Sequence, residues 1–157
     1  QVVLVEPFSG KAGKDSFKLW KDKKYLLWAE NVGRQHWSAR SIVNTVYDRS
    51  ILTAIVDNLA VSEEDALKVI KTWEPLPDIL FYCKVDAQTA YERNKQRKEH
   101  DEFEDLSSLK AYEEMYENAV RFLRAKTNIR IVELDASKPT QETIAYVKEI
   151  LQNEIYD

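Results

Sequence analysis

Cysteine is nearly absent: Cys83 is the only one among 157 residues. That excludes an intrachain disulfide framework and any zinc site built from several cysteines. A lone thiol fits a reducing compartment, so the expected location is cytoplasmic. Histidine is equally scarce. His36 and His100 are far apart, and neither has a second histidine nearby, so metal ligation by imidazole has no support. Three glycines and four prolines exclude collagen-like and linker-rich chains. No apolar run approaches the roughly 18 residues that read as a membrane helix. No basic-then-apolar leader opens the sequence, so neither a secretory signal nor a membrane partner is expected. Charge of one sign is not in excess either. Lys and Arg number 23 against 27 Asp and Glu, for a net charge of −4. Nonspecific nucleic-acid binders carry a basic excess, so no nucleic-acid partner is expected.

What is present is enough apolar material, 44% of residues, to bury a core. The length suits one α/β domain. Short apolar runs alternate with helical patterns along the chain. Val2 to Val5 is a β-branched run of the kind that forms buried, often parallel strands, broken by Glu6-Pro7. Gly10 to Gly13 reads as a loop, and Asp15 can cap a helix through Leu19 and Trp20. A second helical stretch carries Leu26, Leu27 and Ala29. Thr45-Val46-Tyr47 predicts a strand ending at Asp48-Arg49, and Ile51 to Leu59 a helix. Ser62 before Glu63-Glu64-Asp65 opens another helix by capping logic, with Ala66, Val69, Ile70 and Trp73 at helical spacing. Asp78 to Val85 is the clearest strand and Ala87 to Lys98 the next helix. Leu109, Tyr112, Met115, Tyr116, Ala119, Phe122 and Leu123 share one face of a long helix. Ile129, Ile131 and Val132 mark the last strand. Pro139 sits at the start of a final helix whose apolar face is Ile144, Val147, Ile150 and Leu151.

Strands separated by helices imply parallel β-α-β units. Ligands of such folds bind at the carboxyl ends of the strands. Those ends carry Glu6, Asp48-Arg49-Ser50, Asp86 and Asp135. An arginine at a strand end offers a two-toothed fork to phosphate, and a neighbouring aspartate can hold that arginine, take a proton or bind a metal. A structural ion pair is the other reading of Asp48-Arg49. Arg93 and Arg97 are four apart and share a helix face, where they could close over a polyphosphate or lie in solvent. Trp28 could stack on a base or fill a core. Gly10-Lys11-Ala12-Gly13-Lys14-Asp15-Ser16 is not a phosphate-binding P-loop. The first glycine of that motif would fall on Phe8, and Asp15 stands where a hydroxyl is needed.

Taken in order, these segments resemble the thymidylate kinases, within the P-loop nucleoside monophosphate kinase group. Val2 to Gly10 is similar to that family's second strand and its Glu-Pro-Gly turn. Leu26-Leu27-Trp28-Ala29-Glu30-Asn31 resembles Leu-Leu-Phe-x-Ala-Asp/Asn. Asp48-Arg49-Ser50 with Thr53 resembles Asp-Arg-Tyr-x-x-Ser, and Pro77-Asp78 through Val85-Asp86 resembles Pro-Asp…Val-Asp. Ala90 to Arg97 followed by Asp101-Glu102-Phe103-Glu104 resembles the lid helix with its Asp-Arg-Phe-Glu, and Asp135-Ala136-Ser137 the last strand end.

The resemblance implies a three-layer α/β fold, a parallel sheet with helices on both faces. It also implies a single domain over residues 1–157 with a lid-like segment near 93–106. The implied reaction is phosphoryl transfer from ATP, with Mg2+, to a (deoxy)nucleoside monophosphate such as dTMP. Arg49 would grip the acceptor phosphate and Asp48 would support it or the metal. Arg93 and Arg97 would reach ATP or the transferring phosphoryl. Trp28 would stack on the acceptor base, with Asn31 and Gln35 near it, Glu6 beside the sugar and phosphate, and Thr53 among the substrate-binding residues. A homodimer is common in such proteins.

The sequence departs from the family pattern at Val32, Ser50, Asp57 and Glu102, where a base-reading arginine, two tyrosines and the lid arginine would stand. The family pattern also opens with a strand and P-loop upstream of the segment matching Val2. Because the chain opens on Gln1, the expectation is that those residues precede it; the competing explanation is a relative that has lost its ATP cradle. A catalytically silent nucleotide-binding or scaffolding relative and a deoxynucleoside kinase, with Glu6 as its base, are the alternatives to a thymidylate kinase-like enzyme.

Overall fold

A computed structural model describes residues 2–5, 44–47, 51–73, 75–96 and 105–156. The expected Gly10–Gly13 loop, the helices through Leu19-Trp20 and Leu26–Ala29, and most of the lid-like segment lie outside them. Four strands and five helices follow in the order β1 (Val2–Val5), β2 (Asn44–Tyr47), α1 (Ile51–Leu59), α2 (Glu63–Thr72), β3 (Ile79–Lys84), α3 (Ala87–Lys95), α4 (Leu106–Lys126), β4 (Arg130–Asp135) and α5 (Thr140–Tyr156). The chain divides into two compact units. One holds residues 1–77 and 118–128, the other 78–117 and 129–157, so α4 contributes to both.

In the first unit β1 and β2 pair in parallel, from Val2 opposite Asn44 to Val5 opposite Tyr47. After β2 the chain enters α1, whose Ile51, Leu52, Ala54, Ile55 and Val56 are buried. Ile51 and Ile55, and Leu52 and Val56, are each four apart, so two rows of one helix face turn inward. α1 packs on α2. Ser62 starts α2 as the capping pattern requires. Its backbone is extended, its Oγ accepts the Asp65 N–H at 3.1 Å and its hydroxyl donates to the Asp65 carboxylate at 2.8 Å. Glu63, Glu64 and Asp65 set negative charge against the positive end of the helix. α2 closes where the Trp73 N–H reaches the Val69 carbonyl, and the Trp73 ring is buried. Ala119, Val120 and Leu123 of α4 complete the buried set of this unit.

In the second unit β3 and β4 pair in parallel, from Ile79 opposite Arg130 to Lys84 opposite Asp135. Leu80 and Tyr82 are buried on β3, and Leu134 on β4. The Tyr82 ring stacks on Tyr116, with centroids 6.2 Å apart and planes 5° from parallel. Burial pushes the Tyr82 hydroxyl up from its ordinary pKa. Lys84 pairs with Glu117 at 2.6 Å, and that hydrogen bond raises the ammonium's pKa.

Two expected apolar faces are narrower in the structure. On α4 only Ala119, Val120 and Leu123 are buried, while Tyr112 is exposed. On α5 Ile150 is buried but Ile144 is 47% exposed. Apolar side chains exposed in this way are common at a protein surface and cost little. Ile129 is buried as expected yet stands just before β4. No described helix is long and apolar enough to cross a membrane.

Candidate functional site

Both strand pairs are parallel, so each leaves its strands' carboxyl ends on one edge with the following loops. In the second unit that edge is well defined. β3 ends at Lys84, and Asp86 caps α3. One carboxylate oxygen of Asp86 accepts the Thr89 N–H at 2.8 Å and the other the Thr89 hydroxyl at 2.6 Å. These bonds, led by the hydroxyl, hold Asp86 below the usual carboxylate pKa. The first N–H of α3, that of Ala87, donates to Glu113 of α4 at 3.1 Å.

β4 ends at Asp135 with the same chemistry. Its carboxylate accepts the Ser137 N–H at 3.0 Å and the Ser137 hydroxyl at 2.5 Å, and the hydroxyl bond leads in lowering its pKa. The chain then turns through Ala136, Ser137 and Lys138. The Ala136 N–H donates to the Lys84 carbonyl at 2.8 Å, extending the β3–β4 ladder by one rung. Both strand ends thus carry an ionised aspartate whose oxygens are held by hydroxyl and amide donors.

Arg93 ties the far end of α3 to the turn after β4. It lies in the last turn of α3. Its Nη1 donates to the Ala136 carbonyl at 2.6 Å and its Nη2 to the Ser137 carbonyl at 3.0 Å. A guanidinium holding two neutral carbonyls keeps its full positive charge. Asp105, at the start of α4, gathers the Ser107 and Ser108 N–H groups and both hydroxyls, which drives its carboxyl far below the ordinary range.

Of the residues that the resemblance assigns to the site, Arg93 and Thr53 are described. Thr53 is half-buried near the start of α1, the helix that follows β2. Glu6, Trp28, Asn31, Gln35, Asp48, Arg49 and Arg97 lie outside the described residues. In sequence Asp48 and Arg49 fall between Tyr47, which ends β2, and Ile51, which opens α1. Among the described residues no group of three or more His, Cys, Asp or Glu is placed to hold a metal ion. Sequence reasoning passed over Glu113. Its signal would have been an acidic residue on the inward rows of α4, beside Tyr116 and Glu117.

A family model described as thymidylate kinase matches residues 38–147. Among the solved structures similar in fold are two of one enzyme. The deoxyadenosine kinase from M. mycoides with bound dATP is 18% identical, with a TM-score of 0.55, over 96% of this chain and 98% of that one. The same enzyme with bound dCTP is 16% identical, with a TM-score of 0.51, over 97% and 98%. No curated protein sequence matches. The matched span runs from before β2 into α5 and takes in both strand-end loops and Arg93.

Proposed function

This chain belongs to the thymidylate kinase family, a family of α/β nucleotide kinases, and from that premise we propose that it transfers the γ-phosphoryl group of ATP to a (deoxy)nucleoside monophosphate such as dTMP. The observation that carries the reading is the order β2, Asp48-Arg49, α1 inside the matched span. It sets a guanidinium and a carboxylate in sequence at the carboxyl end of a parallel strand, where such folds take their ligands.

Phosphoryl transfer asks little covalent chemistry of the protein and much positioning and charge stabilisation. Arg49 grips the acceptor phosphate through two N–H groups, and Asp48 orients that guanidinium. Arg97 brings positive charge to the polyphosphate. Trp28 gives the acceptor base a stacking plate, with Asn31 and Gln35 at its edge. Glu6 and Thr53 contact the sugar and phosphate side. Magnesium usually enters such sites on the nucleotide's phosphates with one or two protein carboxylates, and Asp48 is the residue that would hold it. The ion's contribution, when bound, is to neutralise charge on the phosphate oxygens.

On this reading the chain is a single domain of a three-layer α/β fold, working in the cytoplasm and able to pair with a second copy. A second reading is a deoxynucleoside kinase. The shared fold with a deoxyadenosine kinase favours it, and Glu6 would then take the proton of the sugar hydroxyl; the Val32, Asp57 and Glu102 departures favour a catalytically silent relative instead.

The test is an acceptor panel with ATP and Mg2+: dTMP, dAMP and dCMP beside thymidine, deoxyadenosine and deoxycytidine. Turnover of a monophosphate supports the first reading. Turnover of nucleosides alone replaces it with the second. Turnover of none, with nucleotide binding shown by calorimetry, overturns both in favour of a silent binding protein.

A further inference from the structure

We propose that Arg93 is a positioning residue. It uses its fork on the protein itself, fixing the Ala136–Lys138 turn at the carboxyl end of β4 against α3. The geometry is specific. Two nitrogens of one planar group meet two consecutive carbonyls, of Ala136 and Ser137, at 2.6 and 3.0 Å. Residues 43 and 44 positions apart are thereby joined.

The N–H groups of the turn and the Ser137 hydroxyl have partners of their own. The Ala136 N–H goes to Lys84, the Ser137 N–H and hydroxyl to Asp135, and the Lys138 N–H to the Asp135 carbonyl at 3.4 Å. Asp86 and Asp135 are the carboxylates nearest in sequence to the two loops. Both are engaged by hydroxyl and amide donors, and among the described residues neither forms an ion pair with Arg93. A carboxylate partner would have cancelled the charge of Arg93, whereas two carbonyls orient it and leave it intact. The turn at β4 and a fixed cation are therefore built as one piece.

The kinetic consequence rests on the proposed kinase activity: the turn shapes the edge of the nucleotide site, so Arg93 governs nucleotide affinity more than the chemical step. The structural part does not depend on that activity.

The experiment pairs two readouts on the full chain and on Arg93→Ala and Arg93→Lys. The first is amide hydrogen exchange at Ser137 and Lys138, with Phe81 in mid-strand as the internal reference. The second is steady-state kinetics with ATP varied at saturating acceptor. Arg93→Ala is expected to speed exchange at the turn at least tenfold with Phe81 unchanged. It is expected to raise KM for ATP about tenfold with kcat within twofold, and Arg93→Lys should restore part of both. Unchanged exchange at the turn overturns the proposal, whatever the kinetics. A fall in kcat at constant KM, with the turn still protected, overturns it in favour of direct contact with the transferring phosphoryl. If the parent protein transfers no phosphoryl group, the kinase reading falls, and the exchange measurement still decides the role of Arg93. Should Arg93→Ala not fold, Arg93→Gln, which keeps one short amide donor, replaces it in both arms.

Discussion

The carboxylate of Glu113, midway along α4, accepts the backbone N–H of Ala87, the first residue of α3, at 3.1 Å. One turn further along, Glu117 holds Lys84 at the end of β3. The same face of α4 therefore grips both sides of the β3–α3 connection, the connection that carries Asp86. A helix N-terminus leaves backbone N–H groups without helical partners, and here one is satisfied from a distant part of the chain. Glu113→Ala is expected to lower stability by roughly 1.5–3 kcal/mol, the range of a hydrogen bond to a charged group. Glu113→Gln, which keeps an accepting oxygen, should lose clearly less. Chemical denaturation of the two variants checks the difference.

Leu123 and Trp73 are among the largest fully buried side chains. Leu123→Ala should cost about 2–5 kcal/mol, since the cavity collapses only in part. A surface change such as Ile144→Ala, at 47% exposure, should stay within about 0.5 kcal/mol. Equal losses would show that the apolar face of α5 is buried after all. Denaturant midpoints at constant m-value report both.

Ser62 caps α2 through its hydroxyl oxygen. Ser62→Ala should cost about 1 kcal/mol and Ser62→Asp close to nothing. Thermal melts would separate the two.

Asp86, Asp105 and Asp135 all ionise more readily in the folded chain than an ordinary aspartate, held by hydroxyl and amide donors. The folded state therefore binds fewer protons than the unfolded state as pH falls through the carboxylate range near about 4. Their contribution is fully present at neutral pH and is lost progressively as pH drops below that of an unfolded aspartate toward each lowered value. Melting temperature should fall on acidification, and the fall should be shallower in Asp105→Asn. A variant with the parent's acid slope would remove Asp105 from the account.

Much of this architecture was legible in the sequence. The bounds of α1 follow from the repeat of Ile51, Leu52, Ile55 and Val56, and the start of α2 from one hydroxyl before three acids. Local rules govern both, so a local reading finds them. The end of α3 was less legible. The described helix stops at Lys95, where Gln96 donates to the Arg93 carbonyl, whereas the sequence carries helix-forming residues on to Lys98 with no glycine or proline to halt it. Least legible were the long links, Glu113 to Ala87 and Arg93 to Ala136 and Ser137. They join residues 26 to 44 positions apart, and no periodicity records them. For the candidate site, the strand-end aspartates were found by position alone, since a parallel sheet gathers its carboxyl ends on one edge. The structure adds what holds Asp86 and Asp135, which the sequence could not express.

Arg49 carries the acceptor phosphate in the proposed reaction. Arg49→Ala should lower kcat/KM by about 100-fold or more, the scale of a lost donor to a charged reacting group, with a melting temperature close to the parent's. Activity equal to the parent's would remove Arg49 from the site.

The most direct measurement follows labelled phosphorus from the γ position of ATP in the presence of Mg2+ and the acceptor panel. The account predicts that the label appears on a nucleoside monophosphate, in step with ADP, and that Arg49→Ala slows the transfer by about 100-fold or more. Label that stays on ATP with every acceptor, or that leaves only as inorganic phosphate, would contradict it.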